Sequence, residues 1–591
     1  MSVLFFCSDL HISTHAERYT RLLPILSKNK KIIYTYFPLP LYVHLIADNP
    51  ENINYLVSNL SSIEGLKALQ QLPDPLMNFQ CANLKSIQAY DLIQETTLGH
   101  IVTTILSLEP CNLDKFEWRG LQIFKYVRRD ISLCLKNNTS DLSTITNPAH
   151  IDFVKLTFIA TALSVEVANT ILVNEKFNSI KIDRCILPDA YSAYNAVAAR
   201  LNKSGAKTMI LTADAHFNKL LKIMPTTPHL LNLAVHNAQQ IAHEYTSPEN
   251  MFSLAKVYLE EKVIKGFSSQ AYSSAESESN EQLRVEEFIR YHPKCLAYFT
   301  SSPDEQTQDI QKYPAHSLQS GELSRGSSLF SDEYEMLSDL VEHSRQNDYG
   351  LIIRMHPRLG SEKRSLQVST ARKSFFCQIN SLDKESKERI LIIEPEAKLS
   401  SYWLGAQATV NIFYRSSIGT ELSILGFPSI SPQHLDSFTY QGHYHETAMA
   451  PASIVEWHQQ IQSVLVQGFS YYLHLAVRGF FIQRFSSTFV VDTAEACKDF
   501  VPSTSKESFI SLQIPNVEEL CMFVEACSSF SLPKEKGYWN LSDYIPGWKS
   551  YMRWLLSTAY PALGVSRSIA VHKIRVQSKM FHNALFESFD T

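Results

Sequence analysis

No two of the ten cysteines stand at the C-x-x-C spacing that would bring two thiolates to one tetrahedral zinc. Scattered single thiols fit a reducing, cytoplasmic setting. The chain has no P-loop, no Gly-x-Ser-x-Gly nucleophile elbow and no Gly-x-Gly-x-x-Gly dinucleotide fingerprint. Those absences exclude the P-loop, α/β-hydrolase and dinucleotide-binding readings. Asp-x-Asp is also missing, so the divalent-metal diphosphate site built on that motif is not expected, and neither a metal nor any other cofactor is called for. His443-Tyr444-His445-Glu446 resembles a zinc motif, but Met449 stands where the second histidine of HExxH belongs. A net charge of −5 gives no general attraction to nucleic acid, and no nucleic-acid partner is expected. The segment Met1–Asp9 lacks a basic n-region and its apolar run is short for a signal peptide. The longest apolar stretch, Phe158–Val173, is broken by Glu166 and Asn169 and reads as a buried helix rather than a membrane span.

What is present is an alternating α/β pattern in a chain of 591 residues, too long for a single core. Val3–Cys7 and Lys31–Phe37 read as strands, and residues 52–172 as mostly helical. Asp183–Leu187, Ser192–Asn202 and Thr208–Leu211 form a strand–helix–strand unit with Gly205 as the helix stop. A further helix-rich stretch is expected up to Gly266. The Ser- and Glu-rich run Phe267–Gln282 reads as a linker. Beyond it, strands at Cys295–Thr300, Gly350–Met355, Arg389–Ile393, Ala408–Phe413 and Pro428–Ile430 alternate with helices. The expected architecture is α/β with two Rossmann-like domains, residues 1–280 and 285–500. A helical extension, 501–591, should pack back on the N-terminal domain or lie on a membrane surface.

In open parallel sheets, ligands sit beyond the carboxyl ends of the strands, where backbone amides and helix N-termini face outward. Three strand-end loops carry the chemistry. The first has Ser301 and Ser302 in a small-residue turn able to approach a phosphate. The second is Arg354-Met355-His356-Pro357-Arg358, where Pro357 holds His356 out of helix at the strand tip. The third is Tyr414-Arg415-Ser416-Ser417-Ile418-Gly419-Thr420-Glu421. Its hydroxyls and Gly419 open a helix whose dipole favours phosphate, and Glu421 one turn later has the reach to accept the two hydroxyls of a ribose.

The stretch Cys295–Ile461 resembles the bacterial capsule and surface polysaccharide biosynthesis glycosyltransferases, a group that includes the Kdo transferases and, more distantly, the sialyltransferases. The likeness rests on YFTSSPDE (Tyr298–Glu305), RMHP (Arg354–Pro357) and YRSSIGTELSILGFP (Tyr414–Pro428). It implies a GT-B fold, with two Rossmann-like domains facing across a cleft and a nucleotide-sugar donor in the C-terminal one. It also implies that His356, Ser416 and Ser417 hold the nucleotide phosphate, with a CMP-linked sugar such as Kdo or sialic acid as donor. The acceptor would be a growing capsule or lipopolysaccharide glycan or glycolipid. Two departures stand out: the acidic Asp/Glu-Asp/Glu-Gly triplet of the sialyltransferases is absent, and SSPDE replaces the Gln-x-Glu of the Kdo transferases.

A general base would come from the N-terminal half, within hydrogen-bond reach of the acceptor hydroxyl. Asp9 and His11 follow the first strand and Asp189 a later one; Asp9 and Asp189 also precede helices, where aspartate commonly caps. The segment 545–579 contains Lys549, Arg553, Arg567, Lys573, Arg575 and Lys579 with no acidic residue. Interleaved with Trp548, Tyr551 and Trp554, it reads as a helix suited to the cytoplasmic face of an inner membrane, or as one packed on protein. Two other functions remain open. One is a CDP-glycerol- or CDP-ribitol-type polyol-phosphate transferase of the same architecture. The other is a non-catalytic glycan- or nucleotide-binding subunit of an assembly complex. Phe413-Tyr414-Arg415 stands where polyol-phosphate transferases usually place Asp-Tyr, which favours sugar transfer.

Overall fold

The computed structural model describes residues 2–7, 31–37, 39–40, 43, 56–60, 62–69, 84–136, 141–173, 182–187, 192–213, 220–225, 247–260, 264, 279–301, 329–360, 368–414, 416–432, 451, 453–467, 473–485, 488–490 and 541–587. The fold is α/β, built on two sheets of mainly parallel strands.

The first sheet uses β1 (Ser2–Cys7), β2 (Lys31–Tyr36) and β3 (Leu84–Gln88). Helices α1 (Glu95–Ser107), α2 (Phe124–Leu135) and α3 (Pro148–Val173) follow. Then come β4 (Ile182–Leu187), α4 (Ser192–Asn202), β5 (Lys207–Ala213) and β6 (Leu220–Pro225). Where a helix-rich stretch was expected, residues 220–225 therefore extend the sheet instead, pairing antiparallel with β5. From β1 the chain runs outward through β2 and β3, then returns to place β4 and β5 on the other side. The turn after α4 closes on Gly205 at φ +88°, a backbone region open to glycine at no steric cost.

Helix α3 is long and apolar enough to cross a membrane, yet 83% of its most apolar window is buried in the protein. Phe158, Leu163 and Val167 join the core that also holds Leu4, Phe6 and Val197. Its buried acidic side chain, Glu166, is paired: Arg119 donates to both carboxylate oxygens at 2.7 Å, and Trp118 donates at 3.0 Å. The expected buried helix is what forms.

The second half opens with α5 (Pro248–Leu259) and α6 (Ser279–Tyr291), so the last residues of the expected linker already belong to a helix. β7 (Cys295–Phe299), α7 (Glu333–Asn347), β8 (Gly350–Arg354) and β9 (Ile390–Ile393) follow. Next are α8 (Ser401–Gln407), β10 (Val410–Phe413), α9 (Ser417–Ile424) and β11 (Ser429–Ile430). The strand order is β9-β8-β7-β10-β11, and each pair is parallel. β7 is buried on both faces, which is why it reads as an unbroken apolar run. Cys295, Ala297 and Phe299 point into one core, Leu296 and Tyr298 into the other.

The packing crosses the expected domain limits at three points. Helix α5, placed in the N-terminal domain, contributes Met251, Phe252 and Tyr258 to the core against the second sheet. Beyond α10 (Ile454–Gln467) and α11 (Leu473–Phe485), β12 (Thr488–Val490) pairs antiparallel with β6 and so returns to the first sheet. The C-terminal helices α12 (Ile545–Trp554) and α13 (Arg567–Glu587), expected on the N-terminal domain or a membrane surface, pack on α5 and the second sheet, Tyr551 meeting Phe252 at 5.3 Å between ring centroids. Their Trp548, Tyr551, Trp554 and Phe581 lie in the second sheet's core, and Tyr551 and Tyr560 donate to the carbonyls of Ile424 and Leu425 at 2.8 Å. The cause is area: these rings bury most apolar surface where the sheet face is still open.

Candidate functional site

In the second sheet β7 is central, with β8 and β10 on either side, in a register that pairs Arg354 and Phe413 with Phe299. The carboxyl ends of these strands are therefore level. The chain leaves β7 toward β8 and β9, then crosses back to β10 and β11, so the reversal of strand order falls between β7 and β10. A crevice opens at such a point because the two loops diverge to opposite faces. Ser301 follows β7, Ser416 follows β10 and His356 follows β8, which brings the three sequence-derived positions to one edge.

Backbone-directed hydrogen bonds tie the loops to each other. Thr300 Oγ1 accepts from the His356 amide at 2.8 Å, and the Thr300 amide donates to the Arg354 carbonyl at 3.1 Å. The Ser301 amide donates to Glu333 Oε1 at 2.7 Å, which also accepts from the Tyr298 hydroxyl at 2.7 Å. Burial, and then the charge of Glu333, push the Tyr298 hydroxyl well above its ordinary pKa, so it stays a donor. Glu333 is the first residue of α7, behind the N-cap Asp332, and positions the first loop. Sequence reading missed it, because a carboxylate in a first helical turn is ordinary.

His356 is partly buried and adopts the extended backbone that Pro357 demands, φ −62°, ψ 134°. Its Nδ1 accepts from the Arg358 amide at 3.2 Å. The neutral ring therefore carries its proton on Nε2, where it is a donor suited to an anionic oxygen. Arg354 turns from the β7–β10 crevice toward β9: its guanidinium donates to the Glu394 and Ala397 carbonyls at 2.5 and 3.1 Å. Burial lowers that guanidinium to about 10, with Glu281 and Glu396 acting in the opposite direction. In this structure Arg354, named among the candidate donor-site residues, fastens the loop after β9, because buried carbonyls there need donors.

Ser416 is the N-cap of α9 with φ −148°, yet its hydroxyl makes no capping hydrogen bond. The first amides of α9 thus receive no side-chain oxygen from their own cap, and they are the groups an anion would satisfy. Gly419 is required for packing: a Cβ there would stand 2.3 Å from the Phe413 ring. Its expected role in the donor site is thereby indirect, letting α9 descend onto the end of β10.

Glu421 is placed differently from expectation. Its side chain is only 2% exposed, and it accepts from Tyr258 at 3.0 Å and Tyr402 at 2.7 Å. Each oxygen already receives a hydroxyl, so in this structure the carboxylate joins α5 and α8 to α9 instead of facing the edge as a ribose anchor. Arg415 and Ser302 lie outside the described residues, as do Asp9, His11 and Asp189; of Ser417 only the backbone is described. The strands preceding the three candidate bases are described: β1 and β4 are parallel neighbours at the strand-order reversal of the first sheet.

A contact from the first half reaches this site. Lys136, the left-handed C-cap of α2 at φ +45°, is buried, and its Nζ donates to the Gly360 carbonyl at 2.8 Å. Gly360 closes the His356 turn, and a Cβ there would meet Glu396 Oε1 at 2.4 Å. Among the described residues no group of three His, Cys, Asp or Glu side chains is placed to hold a metal ion.

No protein-family model and no curated protein sequence matches the chain. Among solved structures it is similar to the UDP-GlcNAc 2-epimerase of Methanocaldococcus jannaschii, crystallised with UDP-GlcNAc and UDP. The identity is 12% over 79% of this chain and 93% of that one, with a TM-score of 0.25. The wall teichoic acid polymerase TagF aligns at 12% identity over 84% of this chain and 86% of that one, with a TM-score of 0.19. A single-residue variant of that polymerase aligns at 11% identity over 89% of each chain, with a TM-score of 0.18. Overlaps this loose carry no argument; the α/β assignment stands on the sheets themselves.

Proposed function

We propose that this chain is a GT-B-type glycosyltransferase that binds a nucleotide-sugar at the carboxyl edge of its second sheet. It moves the sugar to a surface glycan or glycolipid. The observation that carries the reading is the meeting of Ser301, His356 and Ser416 on three level parallel strands at the reversal of strand order. His356 Nε2–H and the amides opening α9 supply donors to the nucleotide phosphates, and no metal is invoked to stabilise the leaving group. The likeness of RMHP and YRSSIGTELSILGFP to the Kdo- and sialyltransferase motifs supports a CMP-linked donor. Asp9, His11 or Asp189 would deprotonate the acceptor from the first sheet's corresponding edge, across a cleft between the halves. Exposed Lys549, Arg553, Arg567, Arg575 and Lys579 support contact with the anionic cytoplasmic face of an inner membrane.

The test is nucleotide release from CMP-Kdo, CMP-sialic acid, UDP- and GDP-sugars and CDP-glycerol, followed with purified protein and a glycan acceptor. Release from a CMP-sugar is expected. Release from CDP-glycerol alone would transfer the assignment to polyol-phosphate transfer. Tight nucleotide binding with no turnover of any donor would reduce the protein to a binding subunit.

A further inference from the structure

A cavity of about 420 Å³ lies between α13 and the amino ends of β10 and β11, at the edge of the second sheet opposite the candidate donor site. β7 is five residues long, so the two edges are separated by roughly 16 Å. The volume is within the range of small-molecule sites. Its walls are mostly apolar: Ala406, Ala408, Pro428, Val464, Ile569 and Val576.

Into this apolar space comes Lys573. Its ammonium lies 5.5 Å from the centroid of the Phe427 ring, and it has no carboxylate partner among the described residues. Cys295 acts on it electrostatically, but burial pushes that thiol up to about 11, so it supplies no thiolate to neutralise the lysine. Burial in turn lowers Lys573 to about 8, which leaves it mainly cationic at neutral pH. A partly buried cation facing a ring and a thiol gains only part of what a paired anion would return. Ser568 and exposed His572 also line the cavity, and both are shared with an adjoining pocket that carries Arg567 and Arg575. The lining is therefore largely aliphatic, with cationic and polar side chains where the two pockets adjoin.

We propose that this cavity binds a phosphate monoester bearing a short apolar group, with Lys573 as counter-ion to the phosphate and the aliphatic walls holding the substituent. The site is separate from the nucleotide site and does not depend on its assignment. The phosphate ester has two sources, a soluble metabolite or an anionic lipid that presents the same headgroup chemistry.

Calorimetric titration with monohexyl phosphate, inorganic phosphate and hexanol tests it on the full-length protein. Monohexyl phosphate should bind at least about tenfold tighter than either fragment, since both charge and apolar burial contribute. Lys573→Gln should weaken it about tenfold or more, whereas Lys573→Arg keeps the charge and most of the affinity. Val576→Phe fills the cavity without touching the charge and should abolish binding. Because it changes no ionisable group, it keeps the test valid if Lys573→Gln does not fold. Co-sedimentation with phosphatidic acid vesicles but not phosphatidylcholine, lost in Lys573→Gln, assigns the lipid source. Monohexyl phosphate binding without sedimentation assigns a soluble ester. Absence of binding by the native protein, or affinity unchanged by both Lys573→Gln and Val576→Phe, overturns the proposal.

Discussion

Two residues one motif apart separate cleanly at the level of single side chains. His356 Nδ1 is taken by a backbone amide, which leaves the proton of the neutral ring on Nε2. His356→Ala should weaken nucleotide binding about tenfold, the worth of one hydrogen bond to an anion, with a small change in the melting temperature of the free protein. Thermal shifts by CMP, UDP and GDP measure this, and shifts that survive the change would mean the site lies elsewhere. Glu421 behaves oppositely. Removing its carboxylate leaves the buried hydroxyls of Tyr258 and Tyr402 without that acceptor. Glu421→Ala should therefore cost about 2–4 kcal/mol of stability, read from urea midpoints, and Glu421→Gln should recover part of it. Spacing alone placed Glu421 at the mouth of the site because a residue one turn into a helix has that option. Which way the carboxylate faces depends on Tyr258, 163 residues away in sequence.

Strand–helix junctions decide the next scale. Gly419 lets α9 start directly above Phe413, and Gly419→Ala should destabilise the second half by about 1–3 kcal/mol through that overlap. Pairing it with Phe413→Leu makes room and should return part of the loss; a purely additive double variant would show that the ring is not the obstacle. Helices α7 and α10 meet through His343, stacked on His458 at 4.3 Å and hydrogen-bonded to Tyr349 at 2.7 Å. Burial, followed by the charge of His458, lowers His343 to about 4, with Asp339 working the other way. His474 on α11 is lowered to about 4 by burial and by Arg478. An unfolded histidine takes a proton near about pH 6.5, so between about 6.5 and 4 the unfolded chain binds more protons than the folded one. Stability should fall as pH drops through that window, by up to about 3 kcal/mol for each ring, and should be insensitive to these groups above it. Melting temperatures from pH 4 to 7 check this; a slope equally steep in His343→Gln would remove that ring from the account.

At the scale of the molecule, the first half touches the candidate site, among the described residues, through the buried Lys136. The Lys136 ammonium donates to the Gly360 carbonyl, immediately beyond the turn that presents His356. A hydrogen bond from a charged donor is worth about 1.5–3 kcal/mol, so Lys136→Ala should weaken the coupling between the two sheets' domains. Calorimetry should then show a broader or split transition, together with faster amide exchange around residues 356–360. A single unchanged transition would mean that other contacts carry the coupling. The return of β12 to the first sheet and the seating of α12 on the second make the halves interdependent in chain order, which a division near residues 280 and 500 does not capture.

β3, β6 and β12 were not legible in the chain, whereas the strands of the second sheet, β1, β2, β4 and β5 of the first, and the edge on which Ser301, His356 and Ser416 meet were. Each depends on local periodicity, on proline and glycine, and on the rule that parallel strands present their carboxyl ends together. The direction taken by Arg354 and Glu421, the role of Glu333 and Lys136, and the surface chosen by the C-terminal aromatic helices were not. Those outcomes are settled by which distant group satisfies a buried charge or which sheet face is still uncovered, and no short-range pattern carries that information. The meeting of three loops at one sheet edge is thus a property of the sequence, while its supports, and the cationic cavity around Lys573 at the opposite edge, exist only once the chain has folded.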